Sequence, residues 1–577
     1  MHRILSSEAP IAFGRRDPAR PQSPCQISGL PNGAWLIALV AVWVLFGLIG
    51  HDPWKPDEAH YFGVVLDFLQ RGDWTIPTLA GEPFVEKPPL FYLVAAAFAT
   101  LGGGVLPLHD AARLATGWFV GIALLFLGLT GRELYGRGYG PAAVLLMIGC
   151  VGTLARLHQL ITDVALFAGM SVGTYGLALA RRSTFGGGVA LGIGAACAFL
   201  SKGLLGPGWL GLTALILPFF RIWRTRTYAG ALGVAGLVAI IPATIWMVAL
   251  YMRSPDLFFE WFVNNNFGRF LGFARLGTRN APGFYVYTLL WYAFPVLPLA
   301  GYAAWTAWRD RARSTALREM QLPALLAAVI LGVLALASDS RDLYLMPVML
   351  PLSLLAAQGV CRIPLFGTRA LSASARWILG GLALSLWLVW LSLVTGIPSA
   401  LQTMMLAYQP GFVPDVRWLP VALAVVATVV AGATMIRRAR MAGSALTQWA
   451  TAATLCWVLA TTLWTPYLDA GKSYRAMMQS LVHELPSNGC VASLRLGEPQ
   501  RALLVYYART TTARLEAKPD VACPALLVQG THATGATPRS NGWTLVWEGA
   551  RPGDAKELYR LYRRDVAADR AIVRFPN

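Results

Sequence analysis

Near the start of the chain, one polar stretch carries three ionisable side chains behind Pro56, namely Asp57, Glu58 and His60, and an acid-base pair, Glu86-Lys87, directly before Pro88-Pro89. Further on, ionisable residues interrupt apolar sequence at Asp163 in LITDVAL, Lys202 in FLSKGLL, Arg269, Arg275, and the group Arg341, Asp342 and Tyr344. These types do two kinds of chemistry. A carboxylate takes a proton, holds an ammonium or stabilises a cationic centre, while lysine and arginine bind phosphate oxygens through charge-assisted hydrogen bonds. Each also has a structural reading: Asp57 as a helix cap behind a proline, Lys87 as a headgroup anchor, Asp163 as the cap of a membrane helix. Where the elements put them decides between the two.

The chain has 577 residues, 56% hydrophobic and only 13% charged, which is too apolar for a set of soluble domains. Runs of about 18 to 25 apolar residues match a hydrocarbon core of roughly 30 Å crossed at about 1.5 Å per residue. Long alternating strand patterns are missing before residue 466, which argues against an outer-membrane barrel. Fourteen apolar runs can be counted, and the basic turns between them fall on one side only if the run 89–103 does not cross. That run opens on two prolines and closes on Gly102-Gly103-Gly104, as a re-entrant or surface helix would. Thirteen crossings remain, with the N-terminus inside and the C-terminus outside.

The net charge of +19 is then largely a property of cytoplasmic loops and needs no nucleic-acid partner. Residues 1–33 read as a cytoplasmic tail and 34–465 as the membrane domain. The loops 51–108 and 253–283 lie outside, and 466–577 form an outside α/β domain. Residues 57–71 read as an amphipathic helix on the outer membrane surface, with Phe62, Val65, Leu66 and Leu69 on one face and Asp67 and Gln70 elsewhere. In the terminal domain CVASLRL, RALLVYYA, ALLVQG and TLVWEG read as strands, and 474–485 and 554–564 as helices. Cys150, Cys197, Cys361 and Cys456 lie in apolar spans as packing residues, whereas Cys490 and Cys523 can form a disulfide if their domain is outside. On this topology Asp57, His60, Glu86, Lys87, Asp163, Lys202, Arg269, Arg341 and Tyr344 all fall on one side. Ionisable groups near the apolar membrane are costly and often functional.

The ordered motifs WKPDEAHY, EKPPL, RLHQLITD, FLSKGLLGP and RDLYLMP resemble those of the GT-C superfamily of membrane glycosyltransferases, which use polyprenyl-phosphate sugars. The likeness covers about residues 34–360 by motif and the whole chain by architecture, and within the superfamily the bacterial aminoarabinose transferases are most similar. The resemblance implies a GT-C fold with thirteen membrane helices, and a pentosyl transfer from undecaprenyl phosphate to lipid A phosphates at the periplasmic face of the bacterial inner membrane. It further implies lipopolysaccharide modification, polymyxin resistance and a monomer. Asp57 matches the superfamily's catalytic acid, and Asp163 joins it. Lys87 and Arg269, with Tyr344, Arg341, Lys202 and Arg275 behind them, would meet the donor phosphate. A divalent metal, whether zinc, manganese or magnesium, would fall to Glu86 and His60. Asn264-Asn265-Asn266 depart from the histidine or acidic residues expected there. The sequence carries no sugar-nucleotide motif, in keeping with a lipid-borne donor. Inversion is the superfamily expectation, and retention stays open. Transfer of another sugar, or to protein hydroxyls as in O-mannosyltransferases, is the nearest alternative, and a polyprenyl-lipid flippase is the alternative of another class.

Overall fold

In the computed structural model, the described residues are 27–274, 280–281, 283–309, 316–436, 438–486, 489–531, 542–554 and 556–564. Most of the tail expected over 1–33, and Arg275, lie outside them. Each of the thirteen expected membrane segments is helical. Among the described residues six helices are long and apolar enough to cross a membrane: Leu108–Tyr135, Thr184–Lys202, Arg226–Arg253, Asp342–Arg362, Leu365–Thr395 and Trp418–Met435. Shorter apolar helices, such as Gly33–Leu45, Asp163–Leu179 and Gln321–Leu336, complete a multi-pass membrane protein. The run expected as one crossing at 284–308 is instead two helices, Phe284–Tyr292 and Val296–Arg309, set at 98°. The break contains Pro295, which has no N–H to continue the helical ladder.

The run after Lys87 forms a helix, Leu90–Gly102, of 13 residues. At about 1.5 Å per residue it is about 20 Å long, short of a hydrocarbon core of roughly 30 Å. Phe91, Tyr92, Ala95, Ala96 and Ala99 form its buried face, packed against the helices Asp57–Arg71 and Leu108–Tyr135.

Asp57–Arg71 is a helix, and Phe62, Val65 and Leu66 are buried as its periodicity requires. It does not lie on an open surface. Asp67, expected away from the apolar face, is buried and accepts a hydrogen bond from the Gly81 amide at 3.0 Å. Gly81 belongs to the tight turn between β1 (Thr78–Leu79) and β2 (Glu82–Pro83). Another face is covered by the helix Glu498–Ala508 of the C-terminal region. Periodicity identified the helix but carried no information about that cover.

The C-terminal region holds β3 (Val491–Leu494), β4 (Thr512–Arg514), β5 (Ala525–Gly530), β6 (Trp543–Gly549) and β7 (Leu558–Arg564) in the order β4-β3-β5-β7-β6. β3 runs parallel to β4 and β5, and β7 runs antiparallel to β5 and β6. Two expectations fail here. RALLVYYA, expected as a strand, lies in Glu498–Ala508, a helix with Pro499 in its first turn. A short apolar run carries no period that separates a buried helix from a buried strand. The segment expected to be helical over 554–564 supplies β7 instead, because pairing on both edges overrides the helix propensity of Leu558 to Arg564. Cys490 and Cys523 are joined in a disulfide. Cys361, expected as a free packing thiol, is also disulfide-bonded; it stands one residue from the end of its helix, not in the apolar middle.

Charged contacts fasten this region to the first loop. Glu82 accepts from Arg501 at 2.9 Å and Arg514 at 3.0 Å. Asp52 accepts from Arg475 Nε at 3.0 Å, and Trp54 Nε1 donates to Asp469 at 2.8 Å.

Candidate active site

Helix ends position most of the candidate residues. Asp57 is the first residue of Asp57–Arg71 and Pro56 occupies the N-cap, so Asp57 is not the cap. Its neighbour Glu58 turns inward, accepting from Arg113 Nε at 3.1 Å and the Leu160 amide at 3.0 Å. This locks the first loop to the turn before Asp163. Asp163 opens Asp163–Leu179 behind Thr162 at the N-cap, and Lys202 ends Thr184–Lys202. After Lys202 the chain turns through Gly203 at φ +74, where a Cβ would stand 2.3 Å from Asn266 Oδ1. The Asn266 amide accepts from the Leu204 N–H at 3.1 Å and donates to the Trp261 carbonyl at 2.9 Å. An amide satisfies both partners at once. The π-helical stretch Glu260–Gly268 is thereby docked on the Lys202 turn and delivers Arg269 immediately after it.

Asp57, His60, Glu86, Lys87, Asp163, Lys202, Arg269, Arg341 and Tyr344 all line one cavity of about 270 Å³, with Tyr61, Glu498 and Pro499. The Glu86 carboxylate accepts from Lys87 Nζ at 3.2 Å and forms an ion pair with Arg269. Asp339 lies 3.8 Å from Arg269 and 3.9 Å from Arg341, and accepts from the Tyr344 hydroxyl at 2.6 Å. Lys202 pairs with Asp163 and sits 4.3 Å from the centre of the Tyr344 ring. Nε of Arg269 and of Arg341, both shielded from solvent, have no hydrogen-bond partner among the described residues.

Burial and charge set the protonation states. Burial lowers the Lys87 ammonium to about 8; Glu86 opposes this, while Arg269 and Lys202 add to it. Burial alone would raise Glu86, but the charges of Lys87 and Arg269 outweigh it and hold the carboxyl far below its usual range. Burial raises Asp57, reinforced by Asp163 and opposed by Arg341.

A second, apolar groove of about 340 Å³ meets this cavity. The two share Lys87, Lys202, Arg269 and Tyr344, and the groove continues along Leu205, Trp209, Phe270 and Val333.

The metal expectation is a poor fit. Glu86 is committed to two cations, and His60 Nδ1 lies 3.2 Å from Glu498 Oε2. Among the described residues no group of three or more His, Cys, Asp or Glu is placed to hold an ion. No step is therefore derived through a metal. Sequence reasoning missed Asp339, which organises three of the candidate groups, and Glu498, which comes from the C-terminal region. Asp339 stands in the same short turn as Arg341, a signal that was present. Glu498 gave none, because only the packing of Glu498–Ala508 over Asp57–Arg71 brings it here.

No family model matches the chain. It is 26% identical over 338 residues to undecaprenyl phosphate-alpha-4-amino-4-deoxy-L-arabinose arabinosyl transferase 1 of Pseudomonas fluorescens, covering 57% of each chain. It is 29% identical over 350 residues to the Sodalis glossinidius protein of the same name, covering 56% of this chain and 58% of that one. The matches thus span under two thirds of those relatives' length. The structure superposes on the crystal structure of ArnT from Cupriavidus metallidurans bound to undecaprenyl phosphate with a TM-score of 0.68, at 16% identity over 92% of this chain and 98% of that one. The chain is ArnT-like in fold. The apo ArnT structure gives the same relationship at a TM-score of 0.66. The ArnT-like architecture is a polytopic helical fold with a C-terminal sheet.

Proposed function

We propose that the protein is a glycosyltransferase that moves 4-amino-4-deoxy-L-arabinose from undecaprenyl phosphate to a phosphate of lipid A. One observation carries this reading: an apolar groove ends at the same cations that wall a polar cavity holding a carboxylate. A polyprenyl chain lies in the groove, its phosphate meets Lys87, Arg269 and Lys202, and the sugar projects toward Asp57. The names of the relatives and the ArnT-like fold supply the chemical identity of donor and sugar.

In the reaction an acceptor phosphate oxygen forms a bond to the anomeric carbon while the bond from that carbon to the donor phosphate oxygen breaks. The leaving phosphodiester becomes a monoester and gains negative charge. Lys87 and Arg269 stabilise it, with Arg341 and the Tyr344 hydroxyl beside them. A phosphate monoester with a second pKa of about 6 arrives largely deprotonated, so Asp57 has no proton to remove from it. Its carboxylate instead holds the sugar and stabilises positive charge developing at the anomeric centre.

The topology belongs to the same proposal: thirteen crossings, a cytoplasmic N-terminus, and the cavity and C-terminal domain on the periplasmic side of the inner membrane, in a monomer. Reporter fusions at residue 105 and residue 135 should report outside and inside respectively; residue 105 inside would remove the proposed sidedness. For the activity, purified protein mixed with undecaprenyl-phosphate aminoarabinose and lipid A should yield aminoarabinose-modified lipid A by mass spectrometry. A folded sample that gives no product sinks the proposal.

A further inference from the structure

The helices Gly33–Leu45, Leu108–Tyr135 and Tyr139–Ile148 enclose a second apolar groove, of about 800 Å³, away from the candidate site. Its walls include Leu36, Val40, Leu124 and Val144, and among the described residues its only charged lining residues are Arg132 and Arg137. Arg132 is 24 residues beyond Leu108 on one continuous helix, about 36 Å at roughly 1.5 Å per residue. The groove therefore opens at the other end of the helix from the loop that carries Asp57 and Lys87.

Three features distinguish this groove from an ordinary seam between helices. Both arginines are exposed and neither forms an ion pair among the described residues, although the neighbouring Glu133 accepts from Arg182 at 2.6 Å. The groove runs along the helix from Gly121 to Arg132, about 17 Å at roughly 1.5 Å per residue. That is close to one leaflet, half of a hydrocarbon core of roughly 30 Å. Finally, the floor is open where a chain would lie: a Cβ added at Gly121 meets nothing within 4 Å, whereas one at Gly140 would meet the Gly128 carbonyl at 2.4 Å, where the helices touch.

We propose that this groove binds one anionic phospholipid of the leaflet opposite the candidate site, with an acyl chain lying from Arg132 toward Gly121 and its phosphate held by Arg132 and Arg137. Two guanidiniums with no ion-pair partner among the described residues, at headgroup depth, select a lipid with net negative charge. A zwitterionic lipid would present its own ammonium to the same pair. The bound lipid joins the Gly33–Leu45 helix to the bundle. This inference does not depend on the transfer reaction.

The test is native mass spectrometry of the full-length protein in mild detergent, titrated with phosphatidylglycerol and phosphatidylethanolamine of identical acyl chains. Wild type should retain phosphatidylglycerol at least tenfold more strongly. Arg132→Gln with Arg137→Gln should remove that preference while leaving weak binding of both lipids. Gly121→Leu, which occupies open space and improves helix propensity, should weaken both lipids without lowering the Tm of the delipidated protein. Equal retention of the two lipids by wild type overturns the proposal. So does an unchanged preference in the double variant, unchanged binding in Gly121→Leu, or a dimer in place of the lipid adduct.

Discussion

Arg269 forms an ion pair with Glu86, so the loop after Arg253 and the loop before Pro88 are closed onto one another by a single carboxylate, which also accepts from Lys87. Glu86 opposes the effect of burial on Lys87, whose ammonium titrates at about 8. The sign follows. Lys87 is charged below about pH 8 and loses its charge as pH rises through that value, so donor-phosphate binding should weaken on the alkaline side. In Glu86→Gln the opposition is gone and the alkaline fall should move to lower pH. Rate against pH at subsaturating donor reads the shift, and an unmoved alkaline limb would refute the role given to Glu86.

Asp57 sets the opposite limb. Burial raises its carboxyl above the ordinary range, and the role proposed for it requires the ionised form, so the rate should fall as pH drops through that raised value. Together with Lys87 this gives a bell-shaped profile. Asp57→Asn should abolish the acid limb and lower turnover by at least tenfold, about 1.4 kcal/mol in barrier. A variant that keeps the acid limb moves the titration to another residue.

The fate of these residues shows what sequence could and could not convey. Lys87 and Asp57 were legible because charge is scarce in an apolar chain, where an ionisable group stands out. The nine candidate side chains do share one cavity. What was not legible depended on tertiary cover. Asp67 falls away from the apolar face by periodicity, yet it is buried, Glu498–Ala508 lies over its helix and the Gly81 amide bonds it. β7 has a helical composition that only its two neighbours overrule. Asn266 stood out as a departure from expected ligands, and its purpose, tying the Arg269 segment to the Lys202 turn, is a contact between segments far apart in sequence.

The Lys202–Asp163 pair is nearly removed from solvent, with side chains 7% and 2% exposed. Deleting one partner of such a pair leaves a buried charge without its counterion, at a cost of about 3 to 5 kcal/mol. Asp163→Asn should lower the unfolding midpoint in denaturant accordingly. Lys202→Met combined with Asp163→Leu should recover much of that loss while leaving the protein inactive. If the double variant is no more stable than Asp163→Asn, the two side chains do not act as a pair.

Asp57 and Glu58 are adjacent carboxylates with opposite assignments, and stability separates them. Glu58 is buried against Arg113, which is itself fully buried; burial alone would raise the Glu58 carboxyl, but the charge of Arg113 together with the hydrogen bonds from the Leu160 and Trp54 amides keeps it below its usual range. A depressed pKa means that the ionised group stabilises the fold above its unfolded value, and that this contribution is lost as pH falls through the folded one. Glu58→Gln should therefore lower Tm at neutral pH by removing one of two carboxylates on Arg113; Asp110 still accepts from Arg113 at 2.7 Å, so the cost is about 1.5 to 3 kcal/mol, that of a hydrogen bond between charged groups. Asp57 has the reverse sign: its raised pKa means that holding it ionised at neutral pH opposes folding. Asp57→Asn should leave Tm equal or higher while turnover falls, the pattern expected where a strained charge is kept for function. A Tm loss in Asp57→Asn matching that of Glu58→Gln would reassign Asp57 to the scaffold.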